Sequence, residues 1–140
     1  MAFVLRDVRV GFDGTDVSNL IAEVSVELSA NDVDVTAMGA GGKQHLAGIR
    51  DDKFTFTAFS NFASNSLHSI VSAKFIAAGT IEVKVTPSGS TISATNPIFI
   101  GYCPQLTYNP VSGHVGDAAM TPLTMPASGT ITVSSTGTIP

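Results

Sequence analysis

A chain of 140 residues has room for one domain built on one core, and too little left over for a second of ordinary size. It is 44% hydrophobic and only 13% charged, about half the charged share of an average soluble domain, with a net charge of −4 and a mean hydropathy of +0.31. Scattered Lys and Arg on an acidic balance give no basic stripe to grip phosphates, which argues against tight nucleic-acid binding.

Seventeen of the 18 charged residues lie between Arg6 and Lys84, and only Asp117 lies beyond. The near-chargeless C-terminal part still alternates apolar and polar residues, so it reads as strands. A surface with so few charges is covered either by its 30 Ser and Thr or by other copies of the chain. The single cysteine, Cys103, excludes an intrachain disulfide and is expected as a small buried apolar residue. Arg6, Asp7 and Arg9 interrupt Met1 to Val10, leaving no apolar signal core, and no run approaches a membrane span. The expectation is a protein kept in the cytoplasm until released, with no membrane partner.

In chain order, Phe3 to Val10 reads as a strand running into a turn at Gly11-Phe12-Asp13-Gly14. Ala22, Val24, Val26 and Leu28 then alternate with Glu23, Ser25 and Glu27, which predicts a half-buried strand with an acidic outer face. Residues 29–53 have weak periodicity and the run Gly39-Ala40-Gly41-Gly42. They are assigned to a long loop that reaches a neighbour, orders on assembly, or folds as a short hairpin through Val33 and Val35. Phe54, Phe56 and Ala58 mark the next strand.

The one helix is predicted over Asn61 to Phe75, with Leu67, Ile70, Val71 and Phe75 on one stripe and Asn61 or Ser64 as cap. Gly79 ends it, and Thr80 to Thr86 follows with Ile81, Val83 and Val85 inward. Further strands fall at Ile98 to Tyr108, at Ala118 to Met125 with Pro122 marking an edge or bulge, and at Thr130 to Ser134. The sum is a mainly β fold: an antiparallel sandwich or barrel of about seven strands with one flanking α-helix and a long loop, in a single domain over 1–140.

Residues that suggest chemistry lack the pattern it needs. His45, His68 and His114 have no ligand spacing. The Gly39 to Lys43 run lacks the earlier glycine and following Ser or Thr of a phosphate loop. Asp13-Gly14-Thr15-Asp16 and Asp32-Val33-Asp34 lack the terminal glutamate of a calcium loop and read as turn aspartates. Asp51 and Asp52 are adjacent and point apart in an extended chain. No nucleophile motif is present, so no enzyme, cofactor or metal is expected.

The order Phe3-Val4-Leu5-Arg6-Asp7, Asp34-Val35-Thr36-Ala37-Met38-Gly39, Leu46-Ala47-Gly48-Ile49-Arg50-Asp51, then Ala94-Thr95-Asn96-Pro97 and Gly113-His114-Val115-Gly116-Asp117 resembles the tail tube (major tail) proteins of siphophages. Each motif alone is a turn signal; order and spacing carry the resemblance. The sequence departs from the family pattern over Asn61 to Ser72 and in the Gly-rich run after Met38.

What the resemblance implies is a virion protein of the phage tail, assembled in the host cytoplasm. Six copies would form a ring with a joined inner barrel, and rings would stack into a tube for DNA ejection. Its expected partners are further copies of itself, a tape measure protein, and tail tip and tail terminator proteins, with DNA passing through without specific binding. The 29–53 loop becomes an inter-ring arm carrying Asp32, Asp34, Met38, Lys43, Gln44 and Arg50, and Glu23 and Glu27 become candidates for the lumen wall. The alternatives are a capsid decoration protein and a carbohydrate-binding sandwich. Against the latter stand the absence of Trp and the presence of only two Tyr.

Overall fold

The computed structural model describes residues 4–139. The described part of the expected first strand, Val4 to Val8, runs without pairing, and strand β1 begins at Arg9 (Arg9–Phe12). Asp13 and Gly14, both at positive φ, turn the chain into β2 (Thr15–Asp16), and a single 3-10 turn at Ser18–Leu20 leads to β3 (Ile21–Glu27). There follow β4 (Ala30–Asp34), β5 (His45–Arg50), β6 (Lys53–Phe59), helix α1 (Leu67–Ala77), β7 (Thr80–Thr86), β8 (Ile98–Pro104), β9 (Met120–Pro126) and β10 (Thr132–Ser134).

All pairings are antiparallel. A five-stranded sheet runs β10-β8-β7-β1-β2, a three-stranded sheet β3-β6-β9, and β4 and β5 form a ribbon of their own. The mainly β expectation holds, as open sheets rather than a closed barrel. The strands beyond the expected seven are β2, β4 and β5. Their appearance corrects the reading of 29–53 as mostly loop: of its three options, the hairpin is the one that forms, with Val33 paired to Leu46 and Val35 just past the strand end.

The two larger sheets face each other across a core of Val10, Phe12, Phe54, Phe56, Ala58, Ile81, Val83, Val85, Cys103, Leu123 and Met125, all at most 4% exposed. Alternation explains the register: Lys53 to Phe59 sends Phe54, Phe56 and Ala58 inward and Thr55 outward. Phe12 meets Phe56 edge-on at 5.6 Å, and Phe54 stacks on Phe56 at 5.9 Å. Gly101 of β8 faces this cluster, and a methyl there would stand 2.7 Å from Phe54 Cε2, so only glycine fits. In β3 a bulge between Ile21 and Glu23 exposes Ala22, and Leu28 lies beyond the strand, so Ile21, Val24 and Val26 form the inner row.

Helix α1 starts later than expected. Residues 61–66 form turns instead, with the Asn61 carbonyl taking the His68 amide at 3.1 Å and its side chain taking the Ala63 amide. Ser66, not Asn61 or Ser64, stands at the N-cap position, without a side-chain bond. Leu67 and Val71 dock the helix on the core. At its end Ala78 adopts φ 55°, and the Gly79 amide reaches back to the Lys74 carbonyl at 2.9 Å. This closure usually places glycine where Ala78 stands.

Candidate functional site

Two surfaces collect the residues singled out in the sequence. The first is the outer face of the β3-β6-β9 sheet. Cross-strand register sets three rows there: Glu23-Thr57-Pro122, Ser25-Thr55-Thr124 and Glu27-Lys53-Pro126. Glu23 and Glu27 therefore share one face, as the alternation requires, separated by about 13 Å at the usual strand rise. Lys53 is the one cation of these rows, and its Nζ lies 3.4 Å from Glu27 Oε2. The face is hydroxyls, proline rings and a small net negative charge, with its lysine paired to Glu27.

The second is the ribbon, whose six-residue strand β5 spans about 20 Å at the usual rise. Its two sides differ. Val33, Val35 and Leu46 lie on one side, 42 to 60% exposed. On the other, His45 Nδ1 meets Asp32 Oδ1 at 2.7 Å across the strands, with Asp34 beside them. Hydrogen bonds from the Thr36 hydroxyl and amide hold the Asp34 carboxyl below its ordinary range.

Of the expected arm residues, Met38 and Lys43 lie exposed in the segment joining β4 to β5. Gln44 closes that turn, its carbonyl accepting from the Val35 amide and its amide donating to Thr36 Oγ1 at 2.8 Å.

Arg50 sits elsewhere, at the root of the ribbon. Its Nη2 lies 2.6 Å from Oδ2 of Asp52, whose side chain is wholly inaccessible. Asp52 also accepts the Ser29 amide at 3.1 Å and the Ile131 amide at 2.9 Å. Burial pushes this carboxyl up, but those amides and the guanidinium outweigh it and leave it below the ordinary carboxylate range. Asp51 is exposed, so the two neighbouring carboxylates do point apart. Asp52 ties both ends of the ribbon to the C-terminal chain, a role missed in the sequence, where only its position just before Lys53 to Phe59 marks it.

The remaining polar residues are placed as structural elements. Asp13 Oδ1 takes the Glu82 amide, and Asp16 takes the Ser18 amide, each at 2.9 Å. His68 Nδ1 pairs with Tyr108 Oη at 2.7 Å, beside Phe62. Cys103 is buried, and burial pushes its thiol up to about 12. Asn96 donates to the carbonyls of Ser88 and Ser90, fixing the loop that enters β8. The His114 to Asp117 turn precedes β9. No helix among the described residues is long and apolar enough to cross a membrane.

No protein-family model and no curated protein matches the sequence. Solved structures do match the fold. One, described as the virion of a native gene transfer agent particle, contains a chain superposing with a TM-score of 0.76 at 17% identity, over 95% of this chain and 99% of that one. A second, the tail of an empty particle of the same kind refined with C6 symmetry, superposes with a TM-score of 0.71 at 17% identity, over 91% and 93%. This chain has the fold of those particle subunits over nearly its whole length.

Proposed function

We propose that this chain is a structural subunit of a virion tail, without enzymatic activity, that assembles with copies of itself into six-membered rings stacked as a tube through which DNA passes. The observation carrying the reading is the fold shared over nearly the whole length with a chain of a gene transfer agent particle, in company with a similar chain from a tail of C6 symmetry. Two surfaces support it. The hydroxyl-rich face with Glu23 and Glu27 suits a wall past which phosphates slide, and the ribbon offers Val33, Val35 and Leu46 to an adjacent ring.

In that role Asp32, Asp34, Met38, Lys43 and Gln44 meet the neighbouring ring, while Arg50 sets the angle of the arm through Asp52. A tape measure protein and tail tip and terminator proteins would start and stop growth. Electron microscopy of the purified subunit, with and without a nucleating tip complex, is expected to show six-fold rings and hollow tubes. Compact monomers under every condition would overturn the reading.

A further inference from the structure

The three-stranded sheet ends in two unlike edges. Flanking hydrogen bonds set their phase: the Ser60 amide donates to Ala119, the Ala127 amide to Asp52, and the Asp51 amide to Ser29. Antiparallel pairing alternates, so Phe54 and Phe56 exchange bonds with β9, whereas Lys53, Thr55 and Thr57 exchange bonds with β3. The backbone of Pro122, Thr124 and Pro126 therefore faces outward from β9, and the backbone of Val24 and Val26 faces outward from β3.

On β9 two of those three residues are prolines, so that edge presents carbonyls and, from this trio, a single N–H, that of Thr124. It is self-protected against pairing with its own kind. The β3 edge has no such protection. Val24 and Val26 each present a complete N–H and C=O with no backbone partner among the described residues.

Beside the β3 edge, across open clefts, runs the segment from Leu5 to Val8. Leu5, Arg6 and Val8 line a cleft of about 580 Å³ opposite Ile21 to Val24, and Leu5 and Val8 also cover an apolar groove floored by Val26, Val85 and Phe99. The cover is loose. No backbone bond joins it to β3 among the described residues, Val4 and Leu5 are 70 and 57% exposed, and the chain is first held at Val8, packed against the core, and at Arg9, where β1 begins to pair with β7.

We infer that the Val4 to Val8 segment is a displaceable strap that shields the β3 edge in the free subunit and yields it to an extended strand of a second copy. The edges are complementary for this: β3 supplies the Val24 and Val26 amides, and β9 of the neighbour supplies carbonyls. Because β3 and β9 run in the same direction within the sheet, rotating copies about one axis brings a β9 beside each β3. The strap slows this joining until a neighbour competes for the groove, so free subunits do not polymerise at random. This inference rests on the ring reading for its occupant.

The test uses the full chain with Leu5→Ser, which strips the strap of its apolar anchor at a half-exposed position, and Leu5→Met, which keeps it. Light scattering at equal concentration is expected to show an assembly lag about fivefold shorter for Leu5→Ser and unchanged for Leu5→Met, from the partial leucine burial lost. Amide exchange in the free subunit should quicken at Val24 and Val26 in Leu5→Ser alone. Polymers from Leu5→Ser with an unchanged or longer lag, at an unaltered melting temperature, overturn the strap. If wild type and variants all remain monomeric, the ring reading fails, and unchanged Val24 and Val26 exchange in Leu5→Ser then overturns the strap independently.

Discussion

Strands β5 and β6 follow one another through Asp51 and Asp52, and both carry large apolar side chains, yet they end in opposite environments. Phe54 and Phe56 are at most 1% exposed, whereas Leu46 and Ile49 are 60 and 81% exposed. The difference is what each strand faces: β6 lies between β3 and β9 with the five-stranded sheet opposite, and β5 has only β4. A two-stranded ribbon without a packing surface is marginal on its own, so the ribbon borrows its order from its root. Apolar content therefore does not separate core from surface here, but the presence of a facing layer does.

Mutations can break that comparison. Phe56→Ala removes a ring held between Phe12 and Phe54 and is expected to cost about 3–5 kcal/mol, read as a lowered denaturant midpoint. Asp52→Asn is next, at about 2–3 kcal/mol, because it unpairs Arg50 and weakens the caps on the Ser29 and Ile131 amides.

It also changes the pH profile. The Asp52 carboxyl is lower in the folded chain than in the unfolded one, so its stabilisation is present above about pH 4 and is lost as pH falls below that. Thermal melts from pH 6 to pH 2.5 should show a steeper loss for wild type than for Asp52→Asn.

Ala78→Gly relieves the left-handed residue after α1 and is expected to stabilise by about 1 kcal/mol, seen as a higher melting temperature. Leu46→Ser should move the free subunit's stability by about 0.5 kcal/mol or less. If ribbon and core followed one rule, it would cost as much as Phe56→Ala. Its effect is expected instead in sedimentation, as lost stacking.

The sandwich was legible where alternation is strict: Phe54 to Ala58 and Ile81 to Val85 point as read, and Pro122 lies on an edge strand. The ribbon was not, because β4 has the run Asn31-Asp32 at a bulge and β5 carries Gly48 against Val33, which together blur the period. The helix start slipped because Asn61 and Ser64 look like caps, while the chain spends 61–66 in turns closed by backbone bonds. The candidate surfaces were half visible. Glu23 and Glu27 stand out from their own strand, but the role of Asp52 depends on an amide 79 positions away, which local spacing cannot reveal.

That distance has a consequence for timing. During synthesis the ribbon's residues emerge long before Ile131, so Asp52 waits with one of its donors missing until Ile131 has been made. A chain cut short before that point carries an arm whose root is not locked. Segments made 79 positions apart are thus checked against each other by a single carboxylate.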